Sequence, residues 1–441
     1  MGSYSELRLG TFILGSVKDD IDPRIMTLFR NSDKRINQLT PARLTEHGFD
    51  IDELEENEIP TVVQYVCSAS VARDRLELMG FTREVAEAGF NQGLKEEVAR
   101  YEEWVQSSRV DVFKETLQVL RELSLDNWLA NLGEIRQQGL KPTHFNDPAC
   151  KGNPPLLNYM LVGHDWYGFP GIEYRHFIRL LLDVCSDADE LVYDLTDLVL
   201  GGWVEESGDL VKYADELISD DFVISRRIIV LTEGITDKCI LERSLRLLYP
   251  HLSDYFRFMD FTEAKAEGGA GALANTVKAF AGAGIINRVV ALFDNDTAAE
   301  AAIQSLLTIK LPDNIVVMKY PDIELANSYP AMGPTGVISM NVNGLAGSIE
   351  LYLGEDVLRN VDSNLTPVQW KGYDPKLRQY QGEILNKIEL QNKFEQKLKA
   401  CETDPTKVNE YDWEGLRAIW DVIRSAFHHK DAADILDQMR D

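Results

Sequence analysis

The pattern of apolar and polar positions changes near residue 226. Before it, apolar residues recur every three or four positions over 83–106, 111–136 and 173–200, which predicts amphipathic helices. An alternating stretch at 5–16 predicts a strand. We therefore expect a mostly helical α+β domain over residues 1–225.

After residue 226, short apolar runs alternate with helix-like segments. Strands are predicted within 226–234, 255–261, 286–296 and 314–321, and helices within 236–250, 271–284 and 297–309. Such alternation indicates right-handed crossovers and a mainly parallel sheet flanked by helices. We assign a catalytic α/β domain to 226–360 and a C-terminal helical region to 361–441, with helix predicted from about Tyr373 onward.

Acidic residues follow two of the predicted strands. Glu233 and Asp237 come at the end of the first strand and in the next turn, and Asp294 and Asp296 come at the end of another. In parallel sheets, ligands bind at the carboxyl ends of the strands. Clustered carboxylates repel one another unless a cation neutralises them, and Mg²⁺ or Mn²⁺ prefers such oxygen ligands. The pattern predicts metal-assisted phosphoryl chemistry; the alternative is that Asp237 and Asp296 only favour helix N-termini.

The segments "VLTEGITD" and "LFDND" resemble the Toprim domain, which topoisomerases, primases and nucleases of the overcoming-lysogenization-defect class share. The resemblance covers roughly residues 226–330. It implies that Glu233 binds metal and assists proton transfer as the catalytic residue, and that Asp294 and Asp296 form a metal-binding pair.

Two further positions resemble the nuclease branch of that family. Asp237 matches its second acid, and Ser348 and Glu350 in "GSIELYLG" match a late Ser-x-Glu element, which implies that both acids are metal ligands. The branch carries a lysine shortly after the late acid, whereas this chain has Tyr352. The identity of any catalytic lysine is therefore open.

The N-terminal half resembles a second family. The segments "MGSYSELRLGTFILGSVKDDIDPRIMTLFR" and "DLTDLVLGGWVE" are similar to the HEPN/Toprim N-terminal domain, which lies upstream of HEPN or Toprim effectors in bacterial conflict systems. The resemblance implies a role in antiphage defence, but it does not imply a biochemical task for this domain.

Two other motifs are candidate sites. Gly268, Gly269 and Gly271 in "EGGAGALANTV" precede a helix and would bind phosphate through backbone amides, although a plain loop is equally compatible with the pattern. Arg424 and His429 in "RSAFHH" resemble the R-x4-H pair of HEPN ribonucleases; the alternative is that the histidine only favours a helix C-terminus.

Charge and cysteine usage narrow the classes of partner. The net charge of the 441 residues is −27, of which residues 1–225 carry −20 and residues 226–330 only −2. The acidity lies mainly in the N-terminal half, and the nearly neutral middle is compatible with local phosphate contacts. The five cysteines are far apart and predict neither a disulfide framework nor a zinc site. No apolar run suits a bilayer and no signal peptide is recognisable, so we expect a cytoplasmic protein with no membrane partner.

Together these patterns predict a Mg²⁺- or Mn²⁺-dependent Toprim nuclease, an endonuclease that hydrolyses phosphodiester bonds of DNA or RNA in antiviral defence. Its substrate would be nucleic acid. The sequence does not decide whether it also binds a partner protein or forms a homo-oligomer. Two alternatives remain: a metal-independent HEPN ribonuclease that uses Arg424 and His429, and a non-catalytic Toprim protein that senses nucleotides or acts as a scaffold. A primase or topoisomerase would need a zinc module or a nucleophilic tyrosine, and the sequence indicates neither.

Overall fold

The computed structural model describes residues 2–10, 12–38, 61–107, 111–142, 153–162, 165–218, 227–260, 267–334 and 336–428. The chain divides into two compact units, Met1–Ser225 and Arg226–Lys430. Within the described ranges, no helix is long and apolar enough to cross a membrane.

The first unit contains a five-stranded antiparallel sheet. Its strands are β1 (Tyr4–Leu9), β2 (Phe12–Lys18), β3 (Lys34–Gln38), β4 (Thr61–Ser68) and β5 (Glu190–Asp194), in the order β2-β1-β5-β4-β3. The helices are α1 (Pro23–Met26), α2 (Ala69–Leu78), α3 (Arg83–Ser107), α4 (Asp111–Glu122), α5 (Leu125–Gln138), α6 (Pro155–Leu161), α7 (Tyr174–Leu181), α8 (Thr196–Leu200) and α9 (Leu210–Ile218).

Three details of the first unit differ from the sequence prediction. The single strand predicted at 5–16 is the hairpin of β1 and β2, which turns at Gly10 with a φ of 59°. The helix predicted over 111–136 breaks at Ser124, whose side chain caps α5 by accepting the Asn127 N–H at 3.3 Å. The helical run predicted over 173–200 is wrong at β5, because Leu191 and Tyr193 are buried in the centre of the sheet, between β1 and β4.

The second unit is built on a four-stranded parallel sheet in the order β10-β8-β6-β7. These strands are β6 (Ile228–Leu231), β7 (Phe256–Phe258), β8 (Val289–Phe293) and β10 (Ile315–Lys319), and the short β9 (Asn295–Asp296) follows β8. The helices between them are α10 (Ile235–Leu248), α11 (Ala270–Gly282) and α12 (Thr297–Gln304). All five residues of β8 are buried, as expected for a central strand covered by helices. The predicted parallel sheet flanked by helices is confirmed.

A second, mixed sheet follows in the same unit. The elements are β11 (Tyr329–Gly333), β12 (Gly336–Met340), β13 (Ala346–Gly347), α13 (Glu355–Leu358), β14 (Val368–Asp374), β15 (Gln379–Ile384), α14 (Lys387–Thr403) and α15 (Glu414–Arg424). The sheet order is β12-β11-β14-β15, and β13 pairs separately with β9. C-terminal helices are confirmed, but the helix predicted from Tyr373 is wrong up to residue 384, where β14 and β15 form a hairpin. Because β14 pairs with β11, this sheet continues across residue 360.

The last helices pack against α10. Arg243 of α10 contacts two acids of α14, Glu395 and Glu402, the latter through Nη2 and Oε2 at 2.8 Å. Trp420 of α15 donates its indole N–H to Ser244 Oγ at 3.1 Å. The Arg243 contacts hold α14, whose first residue is Lys387, against α10.

Candidate metal centre

The carboxyl ends of β6 and β8 bring two predicted site residues together. The strands are parallel neighbours; Asp294 directly follows β8, and Glu233 lies two residues beyond the end of β6. The Asp294 N–H donates to Glu233 Oε1 at 2.9 Å. The backbone after one strand therefore fixes a carboxylate from the other.

Asp237 lies in the first turn of α10 and is only 8% exposed. The Tyr320 hydroxyl, just after β10, donates to its Oδ1 at 3.2 Å. Tyr320 was not predicted as part of the site. It orients Asp237 from the strand on the far side of β8.

Asp296 has two roles in the structure. Its Oδ1 accepts the Ala299 N–H at 2.8 Å and so caps α12, as the structural alternative expected. Its Oδ2 accepts from Gln381 Nε2 of β15 at 2.7 Å. The same carboxylate also contributes to raising the pKa of Glu233, so it lies within electrostatic reach of the other acids.

Glu350 is brought to the site by the pairing of β13 with β9, which joins Gly347 to Asn295. Its side chain is almost fully buried, with 3% exposed. It accepts hydrogen bonds from Ser348 Oγ and Gln391 Nε2, both at 2.7 Å. Buried carboxylates need such donors, and here they fix the orientation of Glu350.

Lys387, at the start of α14, is the positively charged residue that sequence reasoning missed. Its Nζ lies 3.5 Å from Glu350 Oε2. Although burial opposes its charge, Glu350, Glu383 and Asp294 keep the pKa of Lys387 above its ordinary value. The sequence left the identity of a catalytic lysine open. Lys387 approaches the acids from a different element, so no motif spacing predicts it.

The electrostatics of the acids favour a cation. Burial first, and then neighbouring carboxylates, raise the pKa of Glu233, Asp237 and Asp294 above the ordinary values. Asp294 Oδ1 is buried and, within the described residues, has no hydrogen-bond partner. An ionised oxygen in that position is costly unless a positive charge compensates it.

The acidic side chains do not converge on one position in this structure. Among the described residues, no group of three or more acidic, cysteine or histidine side chains has the arrangement of a metal site. The reason is visible in the hydrogen bonds, since Glu233, Asp237, Asp296 and Glu350 each accept from a separate donor. The oxygen-only donor set, and the Asp294 oxygen that no described residue contacts by a hydrogen bond, fit Mg²⁺ or Mn²⁺ chemically. The side chains would have to rotate to converge on one ion.

The glycine-rich segment lies beside Glu233. The Gly269 N–H donates to the Glu233 carbonyl at 2.7 Å, and the φ of 99° at Gly269 belongs to the region that favours glycine. A Cβ at Gly268 would lie 3.2 Å from the same carbonyl, whereas Gly271 is in open space. The Gly269 amide is therefore already used, and phosphate binding by these glycines stays a prediction.

The second predicted site is only partly described. The Arg424 guanidinium lies 5.2 Å from the ring centroid of Tyr249 and 3.8 Å from Asp421 Oδ1. His429 lies outside the described residues. The Arg–His pair therefore stays a prediction.

The second unit is thus an α/β fold with a cluster of carboxylates and one lysine at the carboxyl edge of its parallel sheet. Residues 1–218 match the family model of the HEPN/Toprim N-terminal domain 1, which confirms the domain predicted for the first unit and indicates a nuclease-type, defence-associated role. No match was found among curated proteins or among solved structures.

Proposed function

We propose that this protein is a metal-dependent nuclease of the Toprim type that hydrolyses phosphodiester bonds of DNA or RNA and acts in bacterial antiphage defence. The observation that carries the proposal is the buried oxygen of Asp294, which has no hydrogen-bond partner among the described residues and lies among further carboxylates at the strand ends. Perturbed acids in a crevice at this edge of a parallel sheet are typical of a functional site.

The cofactor would be Mg²⁺ or Mn²⁺. Its ligands would come from the carboxylates of Glu233, Asp237, Asp294, Asp296 and Glu350. When bound, the ion would supply positive charge for the phosphate and acidify a water molecule.

Glu233 is the candidate proton acceptor. Burial is the main reason that its pKa is raised, and the charges of Asp296 and Asp237 raise it further. A carboxylate with a raised pKa is a better base near neutral pH than an ordinary one. Glu233 would accept the proton of the attacking water.

Lys387 would contact a phosphate oxygen and stabilise the negative charge that develops during hydrolysis. It already lies beside Glu350, which Ser348 and Gln391 hold in place. Ser348 and Gln391 would be positioning residues, because they act on the site through Glu350.

The first unit would regulate the nuclease or bind a partner protein. Residues 1–225 carry a formal charge of −20, which opposes contact with phosphates. A positively charged protein surface, or another copy of this chain that supplies one, is a better match for it than nucleic acid.

The test is cleavage of plasmid DNA, single-stranded DNA and total tRNA by the full chain in Mg²⁺, Mn²⁺ or EDTA. Glu233→Gln and the double variant Asp294→Asn/Asp296→Asn remove site carboxylates, and Glu324→Gln, an exposed acid of the same unit, is the matched control. We expect cleavage that requires metal, is lost in both site variants and persists in the control.

Cleavage of RNA that survives EDTA and both site variants would overturn the proposal and favour Arg424 and His429 instead. Metal-dependent cleavage that is undiminished in Glu233→Gln would refute the role of Glu233 as proton acceptor.

A further inference from the structure

The hairpin of β14 and β15 presents a cluster of aromatic side chains. Tyr373 and Tyr380 are directly paired across the two strands, with ring centroids 5.0 Å apart and planes at 61°. Trp370 adds a third ring, 5.9 Å from that of Tyr380. The tyrosines are 53% and 58% exposed, so the pair offers a large aromatic surface to a ligand.

The turn end of the same hairpin is basic in a strongly acidic protein, whereas Lys371 further along pairs with Glu383 at 3.3 Å. Lys371, Lys376 and Arg378 are exposed, and the only acid between them, Asp374, accepts the N–H groups of Lys376 and Leu377 at 2.8 and 2.9 Å. Within the described part of the chain, neither Lys376 nor Arg378 forms an ion pair, so both charges are available. Their concentration here contrasts with the net charge of −27 and complements a polyanion.

The hairpin is fixed to the candidate metal centre by hydrogen bonds. Thr297 Oγ1 donates to the Tyr380 carbonyl at 2.8 Å, and the Ala298 N–H donates to Gln381 Oε1 at 2.8 Å. Gln381 also donates to Asp296. A ligand on the tyrosines is therefore held in a fixed relation to the loop that carries Asp294 and Asp296.

A cleft of about 750 Å³ links the hairpin to the site lysine. Its lining includes Lys371 of β14, Lys387 at the start of α14 and Lys393 one turn and a half further along that helix. Asn386 and Asn392 add neutral hydrogen-bonding groups to the wall. Glu383 and Glu389 also line it, 3.3 Å from Lys371 and 3.1 Å from Lys393, so the lining is only slightly positive and a sugar–phosphate backbone would exchange phosphate contacts for these ion pairs.

We propose that the β14–β15 hairpin is a binding surface for single-stranded nucleic acid, which directs the strand through the cleft to Lys387. Bases stack on Tyr373 and Tyr380, and Lys376 and Arg378 contact phosphates. Stacking of this kind requires unpaired bases, which selects a single strand over a duplex. This inference rests on the proposed nuclease function, because it defines the substrate class of the same site.

The first experiment measures binding without cleavage. Fluorescence anisotropy of a labelled single-stranded DNA of about 12 nucleotides, and of the same sequence as RNA, is recorded with the full chain in EDTA; this length lies within the range covered by single-strand binding modules. Tyr373→Ala/Tyr380→Ala should weaken binding by at least about tenfold, whereas Tyr373→Phe/Tyr380→Phe keeps the rings and should bind as the wild type does. Tyr213→Ala removes an exposed tyrosine of the first unit and serves as the matched control.

The second experiment measures the salt dependence of the same affinity. Lys376→Ala/Arg378→Ala should reduce the slope of log affinity against log salt concentration by about 1.4, because two phosphate contacts are lost. Lys310→Ala, which removes another exposed lysine of the second unit, should leave the slope unchanged.

The outcomes separate this inference from the proposed hydrolysis. Wild-type affinity in Tyr373→Ala/Tyr380→Ala, or equal affinity of the wild type for a duplex of the same length, overturns the hairpin surface even if cleavage occurs. Tyrosine-dependent binding without any cleavage in Mg²⁺ or Mn²⁺ supports the surface and overturns the hydrolysis. If only RNA binding depends on the tyrosines, RNA is identified as the substrate. If only DNA binding depends on them, DNA is the substrate.

Discussion

His176 is expected to make the stability of the first unit depend on pH. It lies in α7 with 0% exposed, its ring meets Phe81 edge-on at a centroid distance of 5.6 Å, and within the described residues neither ring nitrogen has a hydrogen-bond partner. Burial lowers the pKa of His176 from 6.5 to about 4; Glu173 opposes this effect and Arg175 reinforces it.

The direction of this pH dependence follows from proton binding in the folded and unfolded states. Between pH 6.5 and about 4 the unfolded chain binds a proton at His176 and the folded chain does not, so the free energy of unfolding falls as the pH falls. The contribution is intact above pH 6.5. Since one pKa unit corresponds to about 1.36 kcal/mol, the full loss is about 3 kcal/mol, and about 1.7 kcal/mol of it has occurred by about pH 5.2.

The assay compares the wild type with His176→Phe, which keeps an aromatic ring but cannot titrate. Urea unfolding of the full chain is followed at pH 7.5 and pH 5.2 through hydrogen exchange in peptides that cover 174–181, so that the first unit is reported. The lower pH stays above the sequence pI of about 4.7, where the protein would lose solubility. His251→Gln, in the second unit, is the matched control.

We expect the wild type and the control to lose about 1.7 kcal/mol more than His176→Phe between the two pH values. Absolute stability is not the readout, because the new ring can change packing at both pH values equally. An equal loss in His176→Phe and the wild type would refute the reasoning that His176 is neutral in the folded protein.

Three other predictions concern the candidate metal centre. Lys387→Met should slow cleavage about 10²- to 10³-fold in kcat, as loss of a charge-stabilising donor does, while Lys399→Met on the same helix stays near wild type; equal effects would contradict the role of Lys387. Gly347→Ala should lower the free energy of unfolding by about 1–3 kcal/mol in urea titrations, because a Cβ there would lie 2.6 Å from the Asn295 carbonyl, whereas Gly282→Ala enters open space and should not destabilise. Mg²⁺ at about 100 times its Kd should stabilise the wild type by about 2.7 kcal/mol in the same titrations and EDTA should reverse the gain; no change would argue against a metal site.

The parallel sheet of the second unit could be predicted because its signals are local. The strands around Val230, Val290 and Val316 are short apolar runs rich in β-branched residues. Residues typical of turns or helix starts lie near each run and help to define its ends. Helices between them follow from Ala- and Leu-rich periodicity. The alternation itself then determines a parallel sheet.

Elements that depend on distant pairing were not predicted. β5 is five residues long and sits between helices, so only its partners β1 and β4 show that it is a strand. In the β14–β15 hairpin, residues 371–373 are all exposed, so this part of β14 lacks the alternation of buried and exposed positions that marks a strand. A charged segment of this kind fits a surface helix equally well by composition.

The same distinction applies to the site. Glu233 and Asp294 were predicted because residues that end parallel strands lie at one edge of the sheet. Lys387 and Gln391 come to that edge because α14 packs on α10, where Arg243 contacts its acids. Contacts between helices far apart in sequence leave no spacing rule, and so these partners appear only in the fold.

The acidity of the site has a consequence for the order of binding. Several carboxylates beside Lys387 repel a phosphate as long as no further positive charge is present. A phosphate that approaches adds negative charge to these carboxylates, which then need a cation more strongly. A cation and a phosphate at this position therefore favour each other's binding, and linkage requires the two effects to be equal in free energy. In the proposed binding mode, the hairpin at Tyr373 and Tyr380 would avoid this repulsion, because its basic residues would attract a strand without the metal. A strand held there first would raise the affinity of the acids for the ion, so that metal and substrate complete the site together.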